Sequence, residues 1–276
     1  MRNFISTALL LLLFTESVSS QTLSKETFLI ETPLGNMKVK LYEETPLHKA
    51  NFTKLVKSHY FDSLLFHRVI HNFMIQGGDH HSKTAKPGDS LGHGEIGYTI
   101  PAEFNSNLIH QKGRLCAARE SDDINPNQES SPSQFYLVMG KVRTLEDLKK
   151  YENRINTNKQ QSCKRAFEQS DKAKTIDSEI KRHKLYGNMD SLKAIESLKQ
   201  QLSDKACANL RNYTFNQHQI TTYTTIGGTP HLDGSYTVFG EVIEGIEVID
   251  LIAAVETDKR DRPIKDIRMK IKLLEE

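Results

Sequence analysis

A chain of 276 residues with 37% hydrophobic content is long enough for one large domain or two small ones and apolar enough to bury a core, which excludes a chain disordered throughout. Its net charge of +2 excludes the strongly basic balance that by itself points to nucleic acid or an anionic membrane. Three cysteines are too few for a disulfide scaffold, so the fold has to rest on its core.

In chain order, Arg2, an apolar run from Ala8 to Phe14 and the small residues up to Ser20 read as a cleavable secretory signal peptide over residues 1–20. The run is short of the roughly 20 residues a bilayer requires, and no second run of spanning length follows. The mature protein is expected to be periplasmic or secreted, without stable membrane insertion. Residues 27–42 read as a hairpin, because Met37, Val39 and Leu41 alternate with lysines after the turn Pro33-Leu34-Gly35-Asn36. Thr45 is placed to cap a helix over 46–58, with Pro46 at its first position and Leu47, Ala50, Leu55 and Val56 at helical spacing. Apolar runs at 64–70, 73–76, 114–118 and 134–139, punctuated by glycine, read as strands. Cys116 sits in one of them and reads as a buried thiol.

After Met139 the texture changes. Strand formers thin out, and Leu192, Ile195, Leu198 and Leu202 recur at spacings of three and four, which predicts a helical insertion over 143–222. Between Arg143 and Arg211 there are 16 Lys/Arg against 10 Asp/Glu, so this segment is basic. Cys163 and Cys207 both lie in it; an oxidising compartment permits a bridge between them, and two free thiols fit the sequence equally well. A strand at 236–242, a helix at 246–253 and a strand at 267–273 complete the pattern.

Four ordered stretches then become specific: Phe66-His-Arg-Val-Ile-His-Asn-Phe-Met-Ile-Gln-Gly-Gly-Asp79, Gly113-Arg-Leu-Cys-Ala-Ala118, Ser133-Gln-Phe-Tyr-Leu137 and Leu232-Asp-Gly-Ser-Tyr-Thr-Val-Phe-Gly240. Together they strongly resemble the cyclophilin-type peptidyl-prolyl cis-trans isomerases. The resemblance implies a mainly β fold over residues 24–276, a closed antiparallel barrel of about eight strands capped by two helices, here interrupted by the insertion. It also implies a monomer that acts, without cofactor or metal, on unfolded or partly folded proline-containing polypeptides and not on nucleic acid.

Rotating an Xaa-Pro amide breaks no bond but must overcome a resonance barrier of roughly 18–20 kcal/mol. The site needs a pocket for the ring and a fixed donor that binds the twisted, pyramidal nitrogen better than either planar state. By resemblance, Arg68 is that donor and Gln76 holds the substrate backbone. Phe73, Met74, Phe135 and Leu232 form the ring pocket, and Ala118, Arg119 and Gln134 form the groove for preceding residues. Tyr236 replaces a pocket histidine, and His231, expected among the substrate-binding residues, stands where many members have a tryptophan that contacts cyclosporin, so weak inhibition by that drug is expected. His67, His71, His80, His81 and His93 near Asp79 follow no recognised metal-ligand spacing. Two rival readings remain at this level: a binding module of the same shape with vestigial activity, and a holdase acting through the basic helices.

Overall fold

The alternating segments become eight strands. The structure, a computed structural model, describes residues 26–94 and 96–274, so the segment read as a signal peptide lies outside the described residues. β1 (Thr27–Thr32) and β2 (Gly35–Leu41) form the expected hairpin, turning Phe28, Ile30, Met37, Val39 and Leu41 into the core. β3 (Phe66–Ile70), β4 (Met74–Gly77), β5 (Arg114–Ala117) and β6 (Phe135–Val138) come from the glycine-punctuated runs. β7 (Val238–Glu244) and β8 (Lys270–Leu274) follow.

All pair antiparallel in one curled sheet of order β3-β4-β6-β5-β7-β2-β1-β8. Its two edges meet through a short seam beside β3 and β8. Around the Leu65–Arg268 bridge, Phe66 N–H donates to the Ile267 carbonyl at 2.9 Å and Met269 N–H to the Leu64 carbonyl at 2.8 Å. The seam satisfies backbone groups that an open edge would leave unpaired.

α1 (Pro46–Lys57) and α6 (Glu247–Ala253) add Phe52, Leu55, Val56, Val248, Ile249 and Ile252 to the same apolar interior. Pro46 opens α1 as expected, but Thr45 makes no side-chain cap. The cap comes from Glu103 instead, whose carboxylate accepts from the Leu47 and His48 amides, both at 3.0 Å. A carboxylate answers both the unpaired amides and the positive end of the helix dipole.

The insertion comprises α2 (Leu145–Gln169), α3 (Asp171–Leu185), α4 (Met189–Cys207) and α5 (Gln217–Thr225), so its last helix runs three residues past the predicted boundary at 222. Its two stems touch. Lys141 bridges Gly228, and a Cβ on Gly140, whose φ is +58°, would lie 2.3 Å from the Gly228 backbone. Because the chain leaves and returns at one place, the barrel closes beneath it undisturbed. Ile109 of the loop before β5, Leu148 of α2, Phe215 just before α5 and Tyr223 within α5 form a separate small core between the two parts. Cys163 and Cys207 are bonded, which settles the alternative the sequence left open and ties α2 to the end of α4. Cys116 is a free, buried thiol, and burial pushes its pKa well up.

Candidate functional site

The strand period of two decides which side chains reach the outer face of the barrel. Across β3, β4, β6 and β5 the register sets Arg68 opposite Gln76, Gln76 opposite Tyr136 and Tyr136 opposite Cys116. One row of side chains thus crosses four strands. Next to it Met74 pairs with Val138, and the loop before β7 brings Leu232 and Tyr236 over the row. Arg68, Phe73, Met74, Gln76, Ala118, Arg119, Tyr136, Leu232 and Tyr236 line a cavity of about 130 Å³. Its walls are aromatic and aliphatic, with the polar ends of Arg68 and Gln76 along one side. A larger recess of about 220 Å³ lies across Arg68 and Gln76, bordered by His67, Gly92, His93, Arg260 and Arg262.

Arg68 is aimed by a relay of amides. Its Nη1 donates to Gln76 Oε1 at 3.2 Å, and Gln76 Nε2 donates to Gln134 Oε1 at 3.2 Å. Gln134 Nε2 in turn donates to the carbonyls of Gly92 at 3.1 Å and Gly94 at 3.3 Å. The buried Asp79 carboxylate clamps that loop, accepting from the Gly92 amide at 2.5 Å and the His81 amide at 2.8 Å. Burial would raise the Asp79 pKa, but these amides, His67 and Gly94 together hold it below the usual carboxylate value. On the outer side Asp261 lies 3.8 Å from Arg68 Nε, and the Arg68 side chain remains 44% exposed.

Three expected site residues sit elsewhere. Phe135 points into the barrel, 1% exposed, edge-on to Phe52, Phe61 and Phe66. Tyr136, one residue on, takes the place expected for it, because adjacent strand residues face opposite sides. Gln134 is buried behind Gln76 rather than lining the groove. His231 packs against Phe73, with centroids 5.6 Å apart and planes tilted by 31°, and is not among the residues lining the cavity. Arg119 does line the cavity, but its guanidinium is committed: it bonds the Ser235 carbonyl at 2.7 Å, pairs with Asp122 at 2.8 Å and lies 4.5 Å over Tyr236. It fixes that ring. Tyr136 becomes identifiable once the register is known, since a residue facing Gln76 across the sheet must share its side.

Two of these histidines make stability depend on pH. Burial chiefly lowers the pKa of His67 to about 4, and burial with Arg154, His110 and Arg143 nearby lowers that of His231 to about 4. An unfolded chain binds protons at these positions below about pH 6.5, whereas the native one stays neutral down to about 4. The stabilisation is therefore complete above pH 6.5 and is lost as pH falls toward 4. Urea unfolding at pH 7 and pH 4.5 is expected to show a drop of about 2 kcal/mol from His67, and His67→Gln removes that share while leaving the one from His231. An unfolding free energy unchanged across that range would refute the assignment.

The match to the family model described as "Cyclophilin type peptidyl-prolyl cis-trans isomerase/CLD" covers residues 27–211 and 149–272, overlapping in the insertion. A Staphylococcus aureus (strain USA300) protein provisionally named a peptidyl-prolyl cis-trans isomerase is 26% identical over 86% of both chains. A Streptococcus pyogenes protein provisionally named a bifunctional phosphatase/peptidyl-prolyl cis-trans isomerase is 28% identical over 86% of this chain, which spans 36% of that relative's length. A solved Cryptosporidium parvum cyclophilin type peptidyl-prolyl cis-trans isomerase shares the fold, with a TM-score of 0.50, 20% identity and coverage of 91% of this chain and 98% of its own. With the family match running through every strand that builds the sheet and its outer row, this chain belongs to the cyclophilin-type peptidyl-prolyl cis-trans isomerases and is an isomerase enzyme.

Proposed function

We propose that this isomerase accelerates rotation of Xaa-Pro bonds in exported polypeptides, with Arg68 stabilising the twisted amide. The observation that carries the reading is the shape of the 130 Å³ cavity: Phe73, Met74, Leu232 and Tyr136 offer a small apolar seat, and Arg68 and Gln76 stand along one side of it. A proline ring seated there presents its nitrogen toward the guanidinium. As the amide twists, conjugation is lost and the nitrogen lone pair becomes able to accept a hydrogen bond, which Arg68 donates. The charge of arginine is permanent, so the donor is ready at any physiological pH. Gln76, oriented by Gln134, supplies an amide for the adjacent backbone. No proton has to move and no bond has to break. Lowering an uncatalysed time of ~100 s to ~1 ms requires about 7 kcal/mol of such differential stabilisation.

A protease-coupled assay on a short Xaa-Pro peptide tests the activity. The wild type is expected to isomerise the peptide far faster than the spontaneous reaction and Arg68→Ala to lose most of that rate. Export is supported by the segment at residues 1–20 and by the compartment that a Cys163–Cys207 bond favours. Fractionation of the producing cell is expected to find the protein outside the cytoplasm, shortened by about the length of that segment. Full-length protein confined to the cytoplasm would refute export.

A further inference from the structure

The insertion reaches the proline cavity by two separate routes. From α2, Tyr151 stacks on His231 with centroids 5.5 Å apart and planes 23° from parallel, and His231 stacks in turn on Phe73 at 5.6 Å and 31°. The Arg143 guanidinium covers the outer side of Tyr151 at 5.3 Å. Burial keeps His231 neutral, and the three rings pack in series from Tyr151 to Phe73, which lines the cavity.

From α5, the fully buried Tyr223 donates its hydroxyl to Asp233 Oδ2 at 2.7 Å. The other oxygen of Asp233 accepts from the His110 amide and lies 2.9 Å from His110 Nδ1. A carboxylate only accepts, so Nδ1 carries a proton, and Nε2 on the far side of the ring lies within hydrogen-bond reach of the Tyr136 hydroxyl at 3.0 Å. His110, Tyr136 and Asp233 are all buried, which makes an unmet partner in this chain costly. The chain fixes both Tyr136 and Asp233, the neighbour of the cavity residue Leu232.

We propose that Tyr151 and Tyr223 of the insertion are positioning residues for the proline pocket, acting on Phe73 through His231 and on Tyr136 through Asp233 and His110. The inference rests on the cavity being the isomerisation site. It makes the helical insertion part of the catalytic apparatus even for a short peptide, which makes no contact with a remote client-binding arm. A wall held in place before the substrate arrives costs nothing to order during the reaction, and a small displacement of such a wall reduces the rate steeply.

The test uses the full chain and a short Xaa-Pro peptide, with kcat/KM read well below the melting temperature of each variant. Tyr151→Ala is expected to lower kcat/KM about 10-fold and Tyr151→Phe to restore it to within about twofold, because the stack needs the ring and not the hydroxyl. Tyr223→Phe, which removes one oxygen, is expected to lower kcat/KM about 5-fold. In a Tyr136→Phe background it should cost nothing further, since the route it acts through is already cut. Tyr213→Phe alters the same small core without touching either route and should stay within about twofold of wild type. If Tyr151→Ala fails to fold, the Tyr223 and Tyr136 pair still decides the question. Tyr223→Phe at wild-type rate, or losses for Tyr223→Phe and Tyr136→Phe that simply add, would overturn the proposal. Those outcomes differ from failure of the functional reading, which would show as an inactive wild type or an Arg68→Ala variant of equal rate.

Discussion

Arg68→Ala is expected to lower kcat/KM on a Xaa-Pro peptide by about 100- to 1,000-fold while leaving the melting temperature nearly unchanged. The size follows from what the guanidinium contributes: removing one preorganised donor that binds the transition state and not the ground state costs roughly 3–4 kcal/mol. Stability should hold because the side chain is 44% exposed and its contacts are one hydrogen bond to the Gln76 side-chain oxygen and a long, exposed pair with Asp261. Arg68→Lys keeps the charge but loses the planar fork and its bond to Gln76, so a partial loss of about 10- to 100-fold is expected. A rate for Arg68→Ala equal to wild type would remove the proposed mechanism and leave the vestigial binding module as the better reading.

The second large effect separates two neighbouring residues. Phe135→Ala removes a ring that is 1% exposed and packed edge-on against three other phenylalanines, so it should cost about 3–5 kcal/mol. For a chain of this size that is a fall in melting temperature of about 6–20 °C. In the cold, where the variant is still folded, its kcat/KM should remain within a few-fold of wild type. Tyr136→Ala opens the cavity wall itself and strips His110 Nε2 of its partner, so it should lose about 10- to 100-fold in kcat/KM under the same conditions. Peptide assays at low temperature alongside thermal melts distinguish the two. The reverse pattern, with Phe135→Ala folded but inactive and Tyr136→Ala active, would show that the register of β6 is wrong.

The four strands that carry the site explain why sequence reading placed Phe135 and not Tyr136 in the pocket. Solvent-facing strands such as β2 alternate apolar with charged residues, and there the buried face is plain in the sequence. In β6 all four residues are buried, since Phe135 and Leu137 face the interior while Tyr136 and Val138 face the cavity and the loops above it. Where both faces are apolar, alternation carries no sign.

The sequence by itself determined where the strands lie along the chain, the proline that opens α1, the basic helical segment and the motif that carries Arg68, Phe73, Met74 and Gln76. Each of these is written in spacings of a few residues or in a contiguous motif, so local chemistry suffices to specify it. Only the tertiary structure decided that Glu103 caps α1, that Gln134 stands behind Gln76, that Cys163 meets Cys207, that Tyr151 stacks on His231 and that Tyr223 bonds Asp233. Those pairings join residues about 40 to 80 positions apart, or depend on which side of a strand or helix faces its neighbour. No local periodicity records them, and they exist only once closure of the sheet has brought the insertion stems and the loop before β7 to the same face.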